Sequence, residues 1–168
     1  MNKVTKHLAN AAQANGICTP WLNELKSLDD KDALVDMYIR GIDFCLEHDY
    51  PSNDFIRENF KGVMEKHGVF LDDAIALQDQ SKCIALGTTN GKVTATGYSV
   101  SEVWAKHDSA LNIVAKDNAF VMVDVYDNAV VNVIASDRAK VCVNHHGGKV
   151  IQKATGDAVV KIREKSNK

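Results

Sequence analysis

Asp117-Asn118-Ala119-Phe120-Val121-Met122-Val123-Asp124-Val125-Tyr126-Asp127-Asn128-Ala129-Val130-Val131-Asn132-Val133-Ile134-Ala135 is the stretch that decides how this chain folds. An Asp-Asn-Ala triplet stands at its start and again ten residues later, each time ahead of a run that alternates small β-branched residues with larger or polar ones. Outward from there, the same place is held by Asp108-Ser109-Ala110 on one side and by Asp137-Arg138-Ala139, Gly147-Gly148-Lys149 and Gly156-Asp157-Ala158 on the other. The alanine column thus advances by 9, 10, 10, 10 and 9 residues. Asp and Asn make turns through their own side chains and tolerate left-handed backbone, and glycine, which replaces them at 147–148, does so more freely. The runs between turns, 120–126, 130–135, 140–144, 150–153 and 159–163, read as strands.

Neighbouring residues of a strand point to opposite faces, so the alternation sorts the repeat into two sides. One side collects Ala119, Val121 and Val123; Ala129, Val131 and Val133; Ala139, Val141 and Val143; and Ala158, Val160 and Ile162. So small and uniform a surface suits the narrow interior of a β-solenoid better than a sheet covered by a helix, where Leu and Phe would fill the gap. Two repeats per coil give about 19 to 20 residues per turn. Over roughly residues 92–163 the repeat logic resembles short parallel β-helix or bactofilin-like solenoids, an architectural likeness that carries no functional residue with it. The hexapeptide pattern of left-handed acyltransferase helices and the Gly-rich calcium-binding nonapeptide are both missing. An antiparallel meander with a turn at each Asp-Asn satisfies the same alternation and is the alternative.

The opposite side is not cleanly polar. Phe120, Met122, Val130 and Ile134 stand on it, and such residues call for cover, either by the amino-terminal helices or by another chain. They are the expected interaction surface. Upstream, Cys83–Thr96 reads as a hairpin around Asn90-Gly91, placed to cap one end of the solenoid. Lys161-Ile162-Arg163-Glu164-Lys165 discourages strand pairing at the other end. Asn167 and Lys168 read as a frayed, solvated terminus.

The first part of the chain follows a different period. Thr19-Pro20 signals a helix start running to about Leu28, and Ser27-Leu28-Asp29-Asp30 has the form of an acidic capping box. Leu34, Met37, Tyr38, Gly41 and Cys45, with Val35, Ile39, Ile42 and Leu46 beside them, form a broad helical stripe. Pro51-Ser52-Asn53-Asp54 restarts the chain for a helix ending near Gly68, and residues 3–14 add another, so three or four short helices are expected. Up to residue 80 the chain carries 8 Lys and Arg against 14 Asp and Glu, and beyond it 12 against 8, so the overall charge of −2 conceals −6 and +4. The class is α+β, with a helical module and linker at 1–80 and a hairpin plus β-solenoid at 81–168.

Several functions are disfavoured. No basic run dominates, which argues against a nucleic-acid partner. The residues after the basic start are interrupted by polar ones, unlike a signal-peptide core, and no apolar run approaches the roughly 20 residues needed to span a bilayer. A cytoplasmic protein without a membrane partner is expected. Cys18, Cys45, Cys83 and Cys142 form no CxxC pair and read as reduced thiols. Cys142, His145 and His146 are the one compact set of metal-ligand types. Alternation puts Cys142 and His146 on one side and His145 on the other, too few together for zinc. Asp108, Asp117, Asp127 and Asp137 would stack along an edge where calcium or acid–base chemistry is conceivable, but turn formation already accounts for them. His107, Asp108 and Cys142 are weak catalytic candidates, and no nucleotide loop or hydrolase motif is present. No cofactor is called for. The expectation is a non-enzymatic interaction or scaffold protein, a homo-oligomer or the binder of another protein. The alternative is a module that binds a nucleotide or inhibits a host enzyme, such as a mobile-element accessory protein.

Overall fold

The computed structural model describes residues 1–165, and the terminus read as frayed at Asn167 and Lys168 lies outside the described residues. The chain divides into two compact units, Met1–His67 and Gly68–Lys168. No helix among the described residues is long and apolar enough to cross a membrane.

The first unit holds five α-helices, one more than the upper expectation: α1 Lys3–Ala14, α2 Thr19–Lys26, α3 Lys31–Arg40, α4 Ile42–Glu47 and α5 Asn53–Asn59, followed by a 3₁₀ turn at Met64–His67. Two start signals act one and three residues away from where the sequence suggests. Cys18 rather than Thr19 occupies the cap of α2, and Asp30 rather than Ser27 caps α3, its side chain accepting the Ala33 N–H at 3.0 Å. Ser52 does cap α5, through the Phe55 N–H. The long stripe from Leu34 to Leu46 breaks at Gly41, whose ψ of 29° leaves the helical range. A Cβ there would lie 3.4 Å from the Trp21 ring, so the break coincides with a contact that local periodicity does not contain.

The second unit is a parallel β-solenoid. Its strands are β1 Val69–Leu71, β2 Ala74–Gln78, β3 Lys82–Leu86, β4 Asn90–Ala95, β5 Val100–Ala105, β6 Ala110–Ala115, β7 Phe120–Val125, β8 Val130–Ala135, β9 Lys140–His145, β10 Lys149–Ala154 and β11 Val159–Glu164. Odd strands form one wall in the order β1-β3-β5-β7-β9-β11, and even strands form the other in the order β10-β8-β6-β4-β2. Every neighbouring pair is parallel, which excludes the antiparallel meander. Val100 stands opposite Phe120 and Phe120 opposite Lys140, a rise of 20 residues per coil, and the last step, Lys140 to Val159, takes 19.

The solenoid begins at Val69, earlier than the repeat suggests, because its first coil is short. Val69 pairs with Ile84 and Ala74 with Asn90, steps of 15 and 16 residues. The expected hairpin at 83–96 does not form, since β3 and β4 belong to opposite walls. Asn90-Gly91 opens β4 instead of turning the chain. Gly91 has φ +143°, and a Cβ on it would sit 1.9 Å from the Ile75 carbonyl oxygen, so glycine is required there for close approach of two strands.

Between the walls lies the core. Ala119, Val121, Val123, Ala129, Val131, Val133, Ala139, Val141 and Val143 are 0–1% exposed, as the narrow-interior reading requires. Leu111 and Ile113 join them on β6. The fourth expected set differs: Ala158 and Val160 are half-buried and Ile162 is exposed, because β11 ends its wall.

Candidate interaction surface

The corners come first, because they set where every outward side chain lies. Positive φ recurs at Gly87, Gly97, His107, Asp117, Asp127 and Asp137, one residue in ten. The corner residue of the third of these is His107, not Asp108. Gly87 and Gly97 continue the column upstream, where the missing Asp triplet hides it from sequence reading. Corners alternate between the two edges of the solenoid, so Asp117 and Asp137 share one edge while His107 and Asp127 share the other, and the expected single row of carboxylates does not exist.

Each of these side chains has a partner one coil back. Asp117 accepts the Gly97 N–H at 2.9 Å, Asp137 the Asp117 N–H at 3.1 Å, Asp127 the His107 N–H at 3.2 Å, and the Nδ1 of His107 accepts the Gly87 N–H at 3.0 Å. A left-handed corner turns its amide out of the ladder, and the next corner satisfies it. Asp79 bonds in the opposite direction, accepting the Thr96 N–H of the next coil, and the Thr96 amide and hydroxyl hold its carboxyl below the usual carboxylate range. Asp127 also pairs with the Lys106 ammonium at 3.2 Å.

Cys142, His145 and His146 do not converge. Both ring nitrogens of His145 are engaged, Nδ1 with Glu164 at 2.7 Å and Nε2 with the Gly148 carbonyl at 2.8 Å. The carbonyl and the carboxylate favour the imidazolium and raise its pKa. His146, on the other face, stacks on Tyr126 with ring centres 4.3 Å apart and meets Asp124 at 2.9 Å. Cys142 points outward from the middle of β9, over Met122. His107 and Asp108 lie at a corner of the solenoid, away from Cys142 within its strand, so the three catalytic candidates are not brought together. Burial pushes the Cys45 and Cys83 thiols up to about 12, while Cys18 is exposed and Cys142 half-buried, all four free.

The expected interaction surface splits between the walls. Phe120 and Met122 face outward from β7 in the odd wall and are partly buried. Val130 and Ile134 face outward from β8 in the even wall and are 37% and 42% exposed. What the even wall adds is Ile151 on β10, 46% exposed, which lies one rung on from Asn132, the residue between the other two. Val114 stands behind Ile134 on β6. Ile151 escaped the sequence reading because Gly147-Gly148-Lys149 shifts the repeat by one residue there. The alternation of Lys149, Ile151 and Lys153 was the signal that could have found it.

The last rung differs from the others. β10 and β11 end their walls, and their outward residues Lys149, Lys153, Lys161 and Arg163 are all exposed. No model of a known family, curated protein or solved structure matches this chain.

Proposed function

We propose that this chain is a non-enzymatic interaction or scaffold protein whose solenoid self-associates through the outer face of the even wall. The observation that supports this is the apolar strip of Val130, Ile134 and Ile151, each more than a third exposed on the outer face of a parallel sheet. Exposed β-branched residues scattered singly need no explanation, but three on two adjacent rungs form a patch. Corner carboxylates are already occupied by backbone amides, and the histidines by carboxylates, a carbonyl and a ring, so the chemistry-bearing residues have structural work. The likeness of the repeat to bactofilin-like solenoids belongs to this reading as an architectural parallel. A cytoplasmic setting belongs to it as well, motivated by four thiols that form no disulfide.

Sedimentation over micromolar concentrations tests it. The expected species is a multiple of the 18.4 kDa chain, reduced to a single chain by Val130→Asp with Ile134→Asp. A clean monomer at all concentrations overturns self-association. A large thermal shift with a nucleotide, absent with other ligands, would favour the small-molecule module instead.

A further inference from the structure

We infer that the edge of β11 that no strand among the described residues covers is a docking site for an extended, acidic strand of a protein partner. Val159 and Lys165 donate their N–H groups to the Ala139 and His145 carbonyls of the preceding rung. With the period-two alternation of a parallel strand, Val160, Ile162 and Glu164 therefore direct their N–H and C=O groups to the open edge. The same residues carry the inward column, in register with Val141, Val143 and His145, and at Ile162 that column reaches solvent. A further strand would complete the ladder and cover the end of the core together.

Charge selects the occupant. On an interior rung, Lys82 is matched by Glu102 of the next strand in direct register, and the two form an ion pair. On β11 the equivalent outward residues are Lys161 and Arg163. Among the described residues no carboxylate pairs with either, and the adjacent Glu164 is engaged with His145. A strand that alternates apolar and acidic residues would place its apolar side chains over Val160 and Ile162 and its carboxylates over Lys161 and Arg163. A second copy of the same edge would set Lys and Arg against Lys and Arg, so a like-for-like contact is disfavoured.

The test uses the full chain and a labelled eight-residue peptide alternating glutamate and valine, followed by fluorescence anisotropy. Binding is expected, weakened about tenfold or more by Lys161→Glu with Arg163→Glu. It should be absent for a lysine–valine peptide and for the glutamate–valine peptide N-methylated on its valines. No binding, binding that survives the charge reversal, or equal binding of the N-methylated peptide overturns the proposal. So does equal, equally charge-dependent capture of a single-stranded oligonucleotide or of anionic vesicles, which would make the edge a general polyanion surface. Loss of self-association in the same double variant would assign the edge to a second copy and overturn it too. Val130→Asp with Ile134→Asp leaves peptide binding unchanged, so the outcome is separable from that of the proposed self-association.

Discussion

Asp117 carries two duties that substitution can separate. It holds φ at +57°, and its carboxylate accepts the amide of Gly97 one coil away. Asparagine keeps both properties, glycine keeps only the backbone freedom, and alanine keeps neither. Stability to urea is therefore expected to fall in the order wild type and Asp117→Asn, then Asp117→Gly, then Asp117→Ala. The last should lose about 2–3 kcal/mol from the left-handed penalty and the missing hydrogen bond together. Equal losses for Gly and Ala would show that the backbone angle is not what the position selects. His145 brings a pH dependence of known sign. Its folded pKa is raised by the Gly148 carbonyl and Glu164, so its contribution is full below the unfolded value of about 6.5 and fades as pH rises through the folded one. The denaturation midpoint of the wild type should exceed that of His145→Gln at about pH 5.5 by more than at pH 8.5, and a constant difference would refute the assignment. Asp79 acts in the opposite direction: its pKa is depressed, so its contribution is present at neutral pH and lost on acidification.

At the scale of the element, β4 is where sequence reading and structure part most clearly. Asn90-Gly91 has the composition of a tight turn, yet the glycine serves a strand that must pass within bonding distance of β2. Gly91→Ala is expected to cost about 2–4 kcal/mol, because a methyl group would displace backbone rather than a flexible side chain. Circular dichroism and urea unfolding measure it, and a change within about 0.5 kcal/mol would mean that β2 yields easily. The inner ladder of β7, β8 and β9 was legible because alternation is local and each Val or Ala declares its own face. The first coil was not legible: at 15 and 16 residues it breaks the period, and its corners, Asp72 and Asp79, stand seven residues apart where later ones stand ten apart. The break at Gly41 was hidden for another reason, since the Trp21 ring beside it comes from twenty residues earlier in the chain.

For the whole molecule, the parallel arrangement decides what the outward residues do. Phe120 and Val130 follow each other in the repeat, yet consecutive repeats look out from opposite walls, so a list of outward residues overstates any single surface. The α+β class and the coil length were readable because they follow from period alone. The terminal edge of β11 as a site was not, because it depends on which rung comes last in the described structure. The corner hydrogen bonds have a further meaning for how such a molecule changes length. Residues 117–136 repeat the pairing step and the corner angles of the coil before them, twenty residues on. Duplicating one such block would insert a complete storey and leave every later residue on its original wall. Duplicating half a block would move all later residues to the opposite wall, so only an insertion of whole coils would keep each outward side chain on its own face.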